Sequence, residues 1–247
     1  VRSRAASAAE VAAVSSAIAE TLDLQPLDDA SIEPSVRLHL GLRSLAAEGG
    51  WSGLATRCWP ECFTEFGGAA CTAQSMLNSE LGLPALCEAD AYGVVTSLIL
   101  QWLADAPSFV ADLVDLDFES GTAVVWHCGL APVEMADPAT PARATIHSNR
   151  RLPLLNEFAL ASGRVTVARL SQSGGRTRLV VGAGHMLEAP LPFSGTAGTM
   201  RFDSPLQSVL DTIMTEGLEH HYGIVYGDVT RELHAVANEL GLDIVAL

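Results

Sequence analysis

Lysine is missing altogether: the 14 basic side chains of this 247-residue chain are all arginine. Without a primary side-chain amine the chain is excluded from Schiff-base aldolase chemistry, from pyridoxal-phosphate catalysis and from the lysine of a phosphate-binding P-loop. Positive charge is scarce too. Against 29 acidic groups the 14 arginines leave a net charge of -15, which repels a phosphate backbone and argues against nucleic-acid binding. The five cysteines, Cys58, Cys62, Cys71, Cys87 and Cys128, are odd in number and nowhere spaced Cys-x-x-Cys. The expectation is a reduced, cytoplasmic protein with buried structural cysteines, since the Cys and His spacings complete no four-ligand zinc set. No Gly-x-Gly-x-x-Gly and no Gly-x-Ser-x-Gly occurs; Gly67-Gly68 and Gly182-Ala183-Gly184 read as turns. The most apolar stretch, Tyr92 to Leu103, is about a dozen residues, short of the roughly 20 that cross a bilayer, so no membrane span is predicted. The first residues carry neither an initiator Met nor a signal-peptide apolar region, and the expectation is a chain that begins inside a longer gene product.

What is present is apolar material for a sizeable core, 49% of the residues. Helical periodicity predicts helices over 8–22 and 35–47. A short strand over 53–58, a helix over 72–80, a strand over 84–87 and a helix over 91–103 then alternate as in an α/β layer. From Phe109 the texture changes to alternating apolar and polar residues over 109–115, 122–127, 144–147, 165–170 and 178–182, with Ser173-Gly174-Gly175 as a hairpin turn. A terminal unit follows, with helices over 206–215 and 229–240 and strands over 222–225 and 243–247. The fold expected is an α/β segment over residues 1–85 followed by an α+β C-terminal domain over 86–247, built on an antiparallel β-barrel or curled sheet.

Three acidic residues stand where α/β folds place their sites, at the carboxyl ends of strands: Glu61 after the first, Glu88 and Asp90 after the second. Asp90 equally suits the N-cap of the following helix. His220-His221 precedes an apolar strand. By the period of two, one imidazole points inward, where beside carboxylates it is a candidate metal ligand, and the other points out. An ordinary hydrogen-bonded histidine with an exposed neighbour is the plainer reading. His127 ends another strand with the same two readings; His185 is a weaker candidate, and His39, His147 and His234 read as surface residues.

Taken in order, Cys58-Trp59-Pro60-Glu61, the tract from Cys71 to Asn78, Cys87-Glu88-Ala89-Asp90-Ala91-Tyr92-Gly93, His127-Cys128-Gly129-Leu130-Ala131-Pro132 and His220-His221 with Gly227-Asp228 resemble the L-fucose/L-arabinose isomerase family. The resemblance runs from about residue 50 to the C-terminus. It implies the second half of that family's middle domain over 1–85, the C-terminal isomerase domain over 86–247, and no counterpart of the N-terminal domain. It further implies a metal-dependent aldose-ketose isomerase acting on an unidentified sugar, with Mn²⁺, or another divalent cation such as Mg²⁺ or Co²⁺, held by two acids and a histidine. A homo-oligomer, trimer or hexamer, goes with it. Asp90, or its neighbour Glu88, matches the acid of the Glu-x-Asp tract, and His221 matches the late metal-binding histidine. The other acid falls on Glu61 by one alignment and on Gln74 by another; Glu61 is preferred, because an amide is a poor proton shuttle. Glu61 and Asp90 are thus expected as metal ligands and proton-transferring acids, with Glu88 as the alternative. The chemistry suits these residues: moving a carbonyl from C1 to C2 needs a base and a stabilised enediolate. A non-catalytic sugar-binding or assembly module derived from the family is the competing expectation.

Overall fold

The computed structural model describes residues 5–247. Helix α1 (Ala8–Thr21) is started by Ser7, whose side chain and that of Glu10 cap each other's backbone N–H groups. Helix α2 (Asp29–Gly49) begins earlier than its apolar periodicity suggests, because Asp28 and Ser31 form the same reciprocal cap ahead of Pro34. The two helices bury Val14, Ile18 and Leu22 against Ile32 and Val36.

Strand β1 (Leu54–Ala55) and strand β2 (Ala85–Leu86) pair in parallel. The expected strand over 53–58 is cut to two residues: after Thr56 donates to Leu86, the Thr56 carbonyl turns to the N–H of Ala89 and the ladder ends. Glu61 therefore lies in the turn that leads into a short π-helical segment, Cys62–Phe66, rather than at a strand mouth. Helix α3 (Cys71–Leu81) and helix α4 (Ala91–Ala104) follow as expected.

The second half is β3 (Phe109–Asp117), β4 (Thr122–His127), β5 (Arg143–Thr145), β6 (Leu155–Ala159), β7 (Gly163–Ser171), β8 (Arg178–Met186), β9 (Thr196–Phe202), helix α5 (Leu206–Glu216), β10 (His221–Tyr226), helix α6 (Thr230–Leu240) and β11 (Asp243–Ala246). These strands form one mixed sheet in the order β11-β8-β7-β10-β3-β4-β9-β6-β5. A further antiparallel pairing of β8 with β9 at Gly184–Met186 makes the six central strands a closed, wholly antiparallel ring of pairings. Outside the ring β11 joins β8 in parallel and β6 joins β9 in parallel, with β5 antiparallel to β6 at the edge. The curled sheet expected from the periodicity is present, with parallel additions at its ends.

The largest apolar cluster draws on both sides of residue 85, from Leu38 and Ala73 to Phe109, Phe158, Ile224 and Leu247. Each fully buried Leu, Ile or Phe contributes roughly 1.5–3 kcal/mol relative to exposure, so this shared core fixes β2 and α4 against the sheet. Register then does the rest: in the β10–β3 ladder His221 stands opposite Asp112, and in β3–β4 Asp112 stands opposite Trp126, one residue before His127. Among the described residues no helix is long and apolar enough to cross a membrane.

Candidate active site and metal centre

Glu88 and Ala89 both hold left-handed backbone angles, φ 61° and 58°. For side chains with a Cβ this costs roughly 1–2 kcal/mol per residue. The strained pair swings the chain from the end of β2 into α4 and leaves the Glu88 carboxylate facing the start of β10. Two residues on, Asp90 caps α4, accepting from the N–H of Gly93 at 2.8 Å.

The other oxygen of Asp90 is shared. Arg169 Nη1 lies 2.5 Å and His221 Nδ1 2.9 Å from Oδ2. Burial acts to raise the Asp90 carboxyl, but the bonds from His221, Arg169 and Gly93 outweigh it and hold the group well below the ordinary aspartate range. A carboxylate held ionised can only accept, so Nδ1 of His221 donates to Asp90 and Nε2 is the nitrogen left for a further partner. That Nε2 is buried and has no hydrogen-bond partner among the described residues. It points at Asp112 Oδ1, 3.6 Å away, and Glu88 Oε2, 4.0 Å away.

Two sets of ligand atoms lie within 4.8 Å of one another here, Glu88 with His127 and His221, and Asp112 with His220 and His221. The expectation that one histidine of the pair turns inward and one outward holds only in burial: the His221 side chain is 5% exposed and that of His220 68%. Their rings are 4.3 Å apart, and His220 Nε2 approaches the same acids, at 3.7 Å from Asp112 and 3.8 Å from Glu88. His220 precedes the first ladder residue of β10, so strand alternation does not apply to it.

Burial pushes the Asp112 carboxyl above its usual value, with His127, His221 and His220 pulling it back. His127 is buried between Asp112, Glu88 and Cys128; these anionic neighbours overcome burial, which would lower it, and raise it to about 9. The Cys128 thiol is drawn well below its ordinary value, by hydrogen bonds from Cys71 and Cys87 against burial and then by His127.

Of the expected site residues the structure therefore gathers Asp90, Glu88 and His221 and leaves Glu61 out. Glu61 pairs with Arg57 at 2.9 Å and belongs to neither set of converging ligand atoms. Gln74 is also elsewhere, buried in α3 with Oε1 accepting from the Cys87 thiol at 2.9 Å. Asp228, whose spacing singled out His221, is tied to Arg164 at 2.7 Å. His39 is fully buried rather than superficial, with Nδ1 3.1 Å from the Ala73 carbonyl oxygen. Asp112 was not singled out in the sequence: in Phe-Val-Ala-Asp-Leu it reads as the polar face of a strand, and only the pairing with His221 shows its use.

A cavity of about 600 Å³ lies against this cluster: Glu88, Asp112 and His127 line it, together with Arg57, Trp59 and Asn149. It is large enough for an open-chain hexose.

Residues 156–247 match the family described as L-fucose isomerase, C-terminal domain. A sulfoquinovose isomerase of Alkalicoccus urumqiensis is 35% identical over 233 residues, 92% of this chain and 52% of the relative. One of Priestia aryabhattai is 36% identical over 192 residues, 77% of this chain and 43% of the relative. One of Clostridium sp. (strain MSTE9) is 33% identical over 210 residues, 84% of this chain and 47% of the relative. The chain thus spans about half the length of the curated relatives it matches.

Proposed function

We infer, from a chain whose residues 156–247 belong to the L-fucose isomerase C-terminal domain family, that the cluster around His221 is the catalytic centre of a metal-dependent aldose-ketose isomerase. The observation that carries this is the buried Nε2 of His221, locked by Asp90 and aimed at Asp112 and Glu88 with no partner of its own. Carboxylate oxygens with imidazole nitrogen form a donor set suited to a hard divalent cation such as Mn²⁺, Mg²⁺ or Co²⁺. His221 belongs to both sets of converging ligand atoms, one with Glu88 and one with Asp112, and these three are the ligands proposed here, with His127 beside them, in place of Glu61 and Asp90. A bound ion supplies positive charge next to the carbonyl and hydroxyl oxygens of the open-chain sugar.

The residues of the chain do the rest. A proton leaves C2 and returns at C1 while the O2 hydroxyl proton moves to O1, so atoms balance and no electrons enter or leave. Asp112 suits the carbon-bound proton, because burial has already raised its affinity for one. Asp90 touches neither sugar nor cation in this reading. It is a positioning residue, fixing the tautomer and direction of His221, and Arg169 fixes Asp90 in turn.

The substrate we propose is sulfoquinovose, the sulfonated aldose for which the relatives are named. Arg57 lines the cavity, and Arg150 follows the lining residue Asn149 and lies over the ring of Trp59, which also lines it; the two offer the positive charge a sulfonate needs. The homo-oligomer implied by the family belongs to the same proposal and is read by light scattering. The activity test is to incubate the protein with sulfoquinovose and Mn²⁺ in D₂O and follow the sugar by NMR. Formation of the ketose with solvent exchange at the migrating position supports the reading. Tight sugar binding with neither ketose nor exchange, under Mn²⁺, Mg²⁺ or Co²⁺, rejects it in favour of a binding module.

A further inference from the structure

Four cysteines that this chemistry does not use meet in the cavity wall. Cys71 opens α3, Cys87 follows β2, Cys128 follows β4 and Cys58 lies in the loop after β1, so packing alone brings together four separate segments. The sulfurs of Cys71 and Cys128 are 3.2 Å apart, and those of Cys71, Cys87 and Cys128 all lie within 4.8 Å of one another. Cys58 lies outside that set of three but lines the same cavity wall beside Cys71 and Cys87. All four are free thiols and all line the cavity.

Bonds of about 2.3 Å from a tetrahedral ion put sulfur ligands about 3.8 Å apart, which falls inside the separations seen. Cys62, buried in the neighbouring turn, neither belongs to the set of three nor is among the residues lining the cavity. We propose that Cys71, Cys87 and Cys128, with Cys58 as fourth ligand, form a second metal site, selective for a soft divalent ion of the Zn²⁺ class. Ligand softness separates it from the oxygen and imidazole donors of Glu88, Asp112 and His221, which suit hard cations. Its sequence spacings of 13, 16 and 41 residues, taken by subtraction from Cys58, Cys71, Cys87 and Cys128, contain no short pair, so no zinc motif betrays it. The proposal does not rest on the isomerase reading.

The test is Zn²⁺ titration of the fully reduced protein, verified by intact mass, in the presence of saturating Mn²⁺, with X-ray absorption at the zinc edge. We expect one equivalent of zinc with a sulfur shell near 2.3 Å. Cys71→Ala and Cys128→Ala should each lose sulfur from that shell and weaken binding at least 10-fold, an effect about as large as loss of an outer-shell partner or larger. Cys62→Ala should change neither. If circular dichroism shows that Cys71→Ala does not fold, Cys128→Ala, whose side chain is only partly buried, carries the comparison. A shell of nitrogen and oxygen only, or unchanged affinity in the folded variants, overturns the proposal, as does failure to bind zinc. Isomerase activity plays no part in the readout, so either reading can fail without the other.

Discussion

With Oδ1 accepting from the Gly93 N–H and Oδ2 from both Arg169 and His221, three of the roughly four lone-pair sites of the Asp90 carboxylate are taken within the chain. Asp90→Asn should act through its neighbours. Removing the charge strands the buried Arg169 guanidinium, and breaking such a pair from one side costs about 3–5 kcal/mol, read by urea denaturation. Mn²⁺ affinity should fall about 10- to 100-fold, the usual effect of losing an outer-shell partner. The sign with pH follows from the depressed carboxyl: its stabilisation is complete above the ordinary aspartate pKa of about 3.9 and is lost as pH falls through the folded value. The gap between wild type and Asp90→Asn should therefore narrow in acid. Glu88→Gln and Glu61→Gln separate the two assignments of the acid. Mn²⁺ binding by electron paramagnetic resonance should drop in the first and stay near normal in the second, whose Oε1 pairs with the exposed Arg57 and whose Oε2, buried and without a hydrogen-bond partner among the described residues, joins neither set of converging ligand atoms. A large loss in Glu61→Gln with none in Glu88→Gln would restore Glu61 to the site.

Elements whose periodicity decides their burial were legible before the structure: α3, α4, β4 and α6 fall within a residue or two of their expected spans. Strands β6 and β9 were not. Leu-Asn-Glu-Phe-Ala is buried at every position and so shows no alternation, and β9 carries Gly198 where a Cβ would lie 2.4 Å from Met186 Sδ. Of the site, Glu88, Asp90 and His221 could be read because each stands at the end of an element; Asp112 sits within a strand, and its role exists only through register with β10. The same coupling of element to site makes Gly93 a test. Helix propensity predicts that alanine there stabilises α4 by about 1 kcal/mol. The site predicts the reverse, because a Cβ at Gly93 would stand 2.3 Å from Asp90 Oδ2. Gly93→Ala should destabilise the protein by about 1–3 kcal/mol, as overpacking does, and weaken Mn²⁺ binding as Asp90→Asn does. A more stable variant with unchanged metal affinity would show that Asp90 does not hold His221 in place.

For the whole molecule the arithmetic of charge poses a problem that the local structure answers. A chain with a net charge of -15 attracts a divalent cation and repels a sulfonated sugar. Cation binding from N but not U stabilises by about 2.7 kcal/mol at a hundred times Kd, so saturating Mn²⁺ should raise Tm by roughly 5–10 °C, taking 2–4 °C per kcal/mol at this size. The anionic substrate proposed above would need the reverse field at close range. Arg57 lines the cavity and Arg150 lies with Cζ 2.9 Å from the Trp59 ring centroid, next to Asn149 and His147. Stacking leaves the edge of a guanidinium free to donate hydrogen bonds, and a planar fork of donors suits a sulfonate as it suits a phosphate. Arg57 has its charge partly spent on Glu61, which puts more of the recognition on Arg150. Arg150→Ala should therefore raise KM for sulfoquinovose about 10- to 100-fold, the 1.5–3 kcal/mol of a hydrogen bond to a charged group, with kcat little changed because the contact is made equally in ground and transition states. Steady-state kinetics at two ionic strengths checks it. The wild-type KM should climb with salt and that of Arg150→Ala much less, whereas a KM indifferent both to salt and to Arg150 would mean that the sulfonate is held elsewhere.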